Sequence, residues 1–383
     1  MLKHFFKGVI ICLILCGSFV TSGSIGHTAA PKNKYLVELT NFNNNIQNSL
    51  IREGFTIVDH YSLDQMQFAL VSSDNKGIKE LKKVPYVKKA EADQPVKAMG
   101  YSQMIPWGIK NTGAVKLRGK GCACSIAIID TGISDHVDLK GRVKAKVTYL
   151  YGKEIKGEAL DNSKVQHGTH VAGIIAANNN GIGVAGMDPQ ANLLIIKAMG
   201  DDDKGYLSDV SKGIAWAIEK KAKVINMSLG IEGNSAILEN IFKKAYDKGI
   251  LMVVASGNDG GNVSYPASSP YVISVGAVDQ SNHATPWSNA DKRLTIFAPG
   301  DSILSTVFKK DYYYMSGTSM AAPHVTGALG FLLPKYNGPQ NGQEVEWMKQ
   351  RLRDYGDPVT IGSGKNKFTV PSLNIYKSYY SLK

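Results

Sequence analysis

The sequence predicts an α/β fold: a doubly wound, mostly parallel sheet with helices on both faces, preceded by a small α+β module of ferredoxin-like pattern. Three observations carry this reading. SIAIID, NLLIIKAM, KVINMSL, GILMVVAS and YVISVGAV are near-continuous runs rich in Val and Ile, as strands buried on both faces must be. Helical patterns at 167–177, 208–221 and 235–248 separate several of them, the alternation of a parallel sheet. Between 34 and 97, shorter elements follow one another in the order β-α-β-β-α-β, the ferredoxin-like arrangement.

Taken in order, the chain opens on Lys3 and Lys7, an apolar run from Val9 to Val20, and then small polar residues. That pattern predicts a secretory signal peptide over 1–30, too short to span a bilayer comfortably. The small-residue rule puts its removal between about Ser24 and Ala30. Cys16 follows Leu15, where a lipoprotein signal would carry a small residue, so no lipid anchor is expected. Residues 31–101 form the small module: KYLVELT as an alternating strand, NNIQNSLIREG as a helix ending at Gly54, FTIVDHY as a second strand. QMQFALVSS, NKGIKELKKV and YVKKAEAD repeat strand, helix, strand. Residues 102–383 are the larger domain.

Composition narrows the function classes. At 383 residues and 43% hydrophobic content the chain can bury a sizeable core. Its formal net charge of +12 comes from lysines spread along the whole sequence, without an Arg-rich run. That is a soluble basic surface rather than a nucleic-acid footprint. Beyond the leader only Cys122 and Cys124 remain. Placed on one face of a strand they are too close in sequence for an easy mutual disulfide, so they read as two small packed thiols.

The chemistry is expected at element ends. VQHGTHVAG places His167 and His170 on one helical face, a geometry open to a metal. A third ligand is not apparent, and the His-Glu-x-x-His pattern is absent. Asp130 closes SIAIID where a buried strand emerges. His167 starts its helix, where the dipole disfavours imidazolium and keeps a neutral base. Ser319, in SGTSMAAPHVTGALGFL, opens another apolar helix with Pro323 in its first turn. Alone it reads as an ordinary cap. A serine nucleophile, however, needs a base, the base needs an acid to orient it, and an oxyanion needs a donor. Asn258, in VASGNDGG just past a strand, supplies the donor, and Asp, His, Ser is one of the known chain orders for this constellation. Asp130-Thr131-Gly132 also matches the signature of aspartic proteases, which needs a second such Asp or a homodimer of a β-rich chain.

AIIDTGIS, HGTHVAG, NMSLG, ASGN and SGTSMAAPHVTG, in this order over 102 to about 335, resemble the secreted subtilisin-type serine proteases, which carry an inhibitory propeptide. The resemblance implies that Asp130 orients the base His167, that Ser319 is the nucleophile, and that the Asn258 side chain and the Ser319 N–H bind the oxyanion. His170 is then a packed structural residue, and the reaction needs no metal. It implies an extended protein or peptide substrate flanked by Gly205 and by Ser228, Leu229 and Gly230, as added strands. Ala255, Gly257 and Asn258 wall the pocket for the residue before the scissile bond. Ser264 lies at its floor and Asp259 at its rim, with broad specificity and an apolar or aromatic preference. DDDK at 201–204 reads as an exposed acidic loop. A structural Ca²⁺ is implied at Gln103, Asp138, Asn178, Asn180, Ile182 and Val184, with Asn178, Ile182 and Val184 acting through carbonyls, an oxygen-only set suited to that ion. The resemblance makes 31–101 an inhibitor removed by self-cleavage between Tyr101 and Ser102, and the product a secreted monomer with no nucleic-acid or membrane partner. An inactive calcium-binding relative of the same fold is the competing reading.

Overall fold

In a computed structural model, residues 33–94, 102–362 and 367–381 are described. The apolar leader and Tyr101, the residue before the expected cut, lie outside them. Chain contacts divide the protein into two units, Met1–Ala98 and Met99–Lys383.

The first unit contains β1 (Asn33–Leu39), α1 (Asn44–Arg52), β2 (Thr56–Leu63), β3 (Met66–Ser73), α2 (Ile78–Leu81) and β4 (Val87–Ala92). Its antiparallel sheet has the order β2-β3-β1-β4. The period of two in β1 sends Tyr35, Val37 and Leu39 to one face. Residues Ile46 and Leu50, one turn apart on α1, cover that face together with Phe55. The Asn43 side chain accepts from the Ile46 N–H and starts α1.

The strands of the second unit are β5 (Ser125–Asp130), β6 (Val143–Leu150), β7 (Lys153–Lys156), β8 (Asn192–Lys197), β9 (Val224–Met227) and β10 (Leu251–Ala255). They continue with β11 (Ile273–Val278), β12 (Ile296–Pro299), β13 (Ile303–Val307), β14 (Asp311–Met315), β15 (Asp357–Ile361) and β16 (Phe368–Ser372). Its helices are α3 (Trp107–Asn111), α4 (His167–Ala176), α5 (Leu207–Glu219), α6 (Ala236–Tyr246), α7 (Thr318–Leu332), α8 (Gly342–Tyr355) and α9 (Ile375–Tyr380). Ten strands form one sheet in the order β15-β16-β12-β11-β10-β9-β5-β8-β6-β7. The eight from β16 to β6 are parallel, and the edge strands β15 and β7 are antiparallel to their neighbours. This is the expected α/β architecture.

The unbroken apolar runs follow from burial on both faces. Ile126 and Ile128 of β5 pack into the core shared with Val171 of α4 and Val325 of α7. Ala127 and Ile129 point the other way, into the core shared with Val210 and Ile214 of α5 and Phe242 of α6. The connection after β5 runs to β6 on one side of the sheet and the connection after β9 runs to β10 on the other, so the chain switches direction between these two neighbours. Such switch points are where open α/β sheets form their crevices.

Two expectations are corrected. Cys122 and Cys124 precede β5 rather than lying on a strand; their Cα atoms are 5.0 Å apart and a disulfide joins them. The bent backbone brings together side chains that an extended one would hold apart. Pro323 is the sixth residue of α7, beyond its first turn. Among the described residues no helix is long and apolar enough to cross a membrane.

Candidate active site

Asp130 ends β5 at 1% exposure. Its Oδ1 accepts the Thr131 N–H at 2.7 Å and lies 2.8 Å from His167 Nδ1. Gly168 lets α4 come this close, since a side chain there would strike the Gly132 carbonyl. The buried carboxylate of Asp161 holds the first turn of α4, accepting from Ser163 N–H and Oγ (3.2 and 2.8 Å) and from Thr169 N–H and Oγ1 (3.0 and 2.7 Å). Burial alone would lower the pKa of His167, but the charge and hydrogen bond of Asp130 outweigh it and hold the imidazole above its ordinary value. This opposes the effect of the helix start, which disfavours the cation. His170 is fully buried, its Nε2 between the carbonyls of Ile303 (3.0 Å) and Tyr313 (2.9 Å). Burial pushes its pKa down to about 4, so it is a neutral donor packed in the core.

Ser319 is the only residue of α7 that is not buried. Pro323 has no N–H for the Ser319 carbonyl, and that carbonyl instead accepts from Ser228 Oγ at 3.0 Å. In return Ser319 Oγ donates to the Ser228 carbonyl at 3.3 Å, so the hydroxyl is turned to β9's end rather than to His167. The Asn258 Oδ1 accepts both the N–H and the Oγ1 of Thr318 at 2.9 Å, leaving Nδ2 as the free half of the amide. The point a Cβ on Gly317 would occupy is 3.6 Å from Asn258 Nδ2 and 3.7 Å from the Ser319 N. Two N–H donors therefore flank one small space, a geometry that can stabilise a developing oxyanion.

His167 shares a cleft of about 590 Å³ with Gly205, Ser228, Leu229 and Gly230. The cleft also takes in Met199, Asp203, Leu207 and Val210. Ala255 ends β10 buried, and Gly257 stands against Ser264: a Cβ at Gly257 would lie 2.8 Å from Ser264 Oγ, and its φ of 108° is one that glycine adopts without strain. Buried Asn289, which the sequence reading missed, organises this wall. Its Oδ1 accepts the N–H groups of Asp259 and Gly261, and its Nδ2 donates to Ser264 Oγ. Nothing in the segment WSNAD marks this Asn, because its partners are about 25 to 30 positions away.

The expected calcium residues are gathered apart from this cleft. Gln103 Nε2 donates to the carbonyls of Asn178 (2.6 Å) and Val184 (3.3 Å). Buried Asp138 accepts from Asn180 Nδ2 at 3.0 Å, Val184 N–H at 2.9 Å and Tyr312 Oη at 2.9 Å. Ile182 is exposed, its N–H on Asn180 Oδ1. Among the described residues no group of three or more His, Cys, Asp or Glu could hold a metal. A site here relies on carbonyl and amide oxygens with one carboxylate, a donor set that fits a hard cation. Tyr312 was not foreseen, and burial followed by the Asp138 charge raises its pKa.

The chain belongs to the subtilase family, which its sequence matches over residues 121–358, and it is a serine endopeptidase. It is 39% identical over 314 residues to subtilisin E of Bacillus subtilis (strain 168), covering 78% of this chain and 80% of that relative. To the thermostable alkaline protease of Halalkalibacterium halodurans it is 36% identical over 318 residues, 82% of this chain and 85% of the other. With subtilisin BL of Lederbergia lenta it shares 39% identity over 267 residues, 69% of this chain and 97% of the relative.

Proposed function

We propose that the protein is an exported, calcium-stabilised endopeptidase of broad specificity that activates itself by removing its N-terminal module. In this reading Ser319 Oγ attacks the scissile carbonyl while His167 Nε2 takes its proton, with Ser319 in a rotamer turned from Ser228 toward His167. Asp130, at 2.8 Å from Nδ1, holds the ring in the tautomer that leaves Nε2 free and stabilises the imidazolium. The oxyanion then meets Asn258 Nδ2 and the Ser319 N–H. His167 afterwards returns the proton to the leaving amine, and water repeats the cycle on the acyl-enzyme. The observation that carries the reading is that the only solvent-reaching residue of α7 is the serine flanked by those donors.

Gly205 and Ser228–Gly230 would pair with an extended substrate as added backbone. Ala255, Gly257 and Ser264 would wall the pocket for the residue before the cut. Gln103, Asp138, Asn178, Asn180, Ile182 and Val184 would hold Ca²⁺, which contributes folding stability and takes no part in the reaction. Residues 31–101 would act as an attached inhibitor, effective because attachment raises local concentration, until cleavage between Tyr101 and Ser102. The product is read as a secreted monomer acting on proteins and peptides.

A serine-directed phosphonylating reagent tests the core of this reading. It should label Ser319 stoichiometrically and abolish casein hydrolysis together. Labelling elsewhere, or activity surviving full labelling, would overturn it. N-terminal sequencing of the exported protein tests the maturation step, with Ser102 expected at the start.

A further inference from the structure

The acidic run at 201–204 is an exposed loop, as the sequence predicts, but its carboxylates differ in their partners. Asp201 pairs with Lys197 Nζ at 2.9 Å, and Asp202 Oδ1 accepts the Lys204 N–H at 3.3 Å. Asp203 is different. Its backbone turns through φ 62°, it lines the cleft together with His167, and it joins no ion pair among the described residues. Partial burial raises its carboxyl pKa, and the facing His167 charge pulls the other way, so the two groups sense each other across the cleft.

We propose that Asp203 selects a lysine or arginine at the second substrate residue before the scissile bond. The proposal rests on the substrate cleft described above. In an extended substrate successive side chains point to opposite sides. If the residue before the cut enters the wall formed by Gly257 and Ser264, its predecessor points the other way, in this reading into the cleft that His167 and Asp203 line. Met199, Leu207 and Val210 line the same cleft and offer apolar surface to the methylene stem of a long cationic side chain. Lys204 and Glu232 also line the cleft. Lys204 opposes a substrate cation, and Glu232 favours one. Of the two acids, Asp203 is the one whose charge acts on His167.

The test uses peptides identical except at that position, with Lys, Arg, Ala or Glu, and compares kcat/KM ratios within each enzyme. The mature wild type should favour Lys and Arg over Ala by about fivefold, the scale of a partly exposed ion pair, and the preference should shrink in high salt. Asp203→Asn should bring the ratio to near one, and Asp203→Lys should favour Glu. No Lys preference in the wild type, or a preference that survives Asp203→Asn, would overturn the proposal. Failure of the underlying reading looks different: no peptide in the set would be cut, or Ser319→Ala would cut them all.

Discussion

Thr318 grips the amide oxygen of Asn258 through two donors, and only Nδ2 is left to meet substrate. Replacing Asn258 with Ala should therefore lower kcat about 10²–10³-fold with little change in KM, a magnitude established for subtilisin rather than derived from this structure. Thr318→Val keeps the N–H contact and removes Oγ1, so its loss in kcat should be smaller; steady-state kinetics showing the larger loss in Thr318→Val would contradict this division. Two buried histidines make stability depend on acid. His170 and His324 are buried with pKa values near 4, against about 6.5 in the unfolded chain. Between those values the unfolded chain binds more protons, so stability falls as pH is lowered from 6.5 toward 4. The loss is on the order of 2 kcal/mol per histidine by pH 5. Asp188, which burial raises to about 6, works in the opposite sense: its contribution is full below the ordinary carboxylate pKa and is lost as pH rises through 6. Urea unfolding of Ser319→Ala, which avoids self-digestion, should show the net drop between pH 7 and pH 5. Adding His170→Gln should shrink it, and an unchanged drop would remove His170 from the explanation.

Helix α4 and the loop after it join the candidate site to the expected cation residues. The helix stops at Ala176, and Asn178, Asn180 and Val184 then fold back onto Asp138 and Gln103. If Ca²⁺ binds there only in the folded state, chelation should shorten the thermal inactivation half-life while leaving low-temperature turnover intact. Asp138→Ala should reproduce the effect without chelator, and a half-life indifferent to chelator would contradict the site. The disulfide just before β5 has a smaller expected weight. It closes residues only two positions apart, and in the chain-entropy account so short a loop gives at most about 2 kcal/mol. A Cys122→Ser, Cys124→Ser double variant should thus lose no more than that in urea unfolding; a larger loss would assign the bridge a role in holding β5 itself. At this scale α7 also departs from its expected geometry. Its proline lies one turn deeper than the sequence reading placed it, and the freed carbonyl becomes the tie to Ser228.

Across the whole molecule, what could be read from the sequence was what periodicity and local order encode. The apolar runs became β5, β8, β9, β10 and β11, the three helical patterns became α4, α5 and α6 within about two residues at either end, Asp130, His167 and Ser319 stand at element ends, and Asn258 lies in the loop just after β10. Residues whose work depends on distant partners were not legible. Asn289 secures a wall formed near 260, Tyr312 reaches Asp138 across 174 positions, and Asp203 differs from Asp201 and Asp202 only through the turn that aims it. The bend that lets Cys122 meet Cys124 carries no periodic signal either. The central claim, a serine nucleophile at the start of α7, is tested most directly by the turnover of Ser319→Ala. The variant is brought to the mature N-terminus by a second protease, which is then removed, and is assayed beside wild type on one peptide. The account predicts a kcat lower by about six powers of ten, the loss established for subtilisin, with peptide binding retained; a variant that keeps even a tenth of wild-type turnover would contradict it.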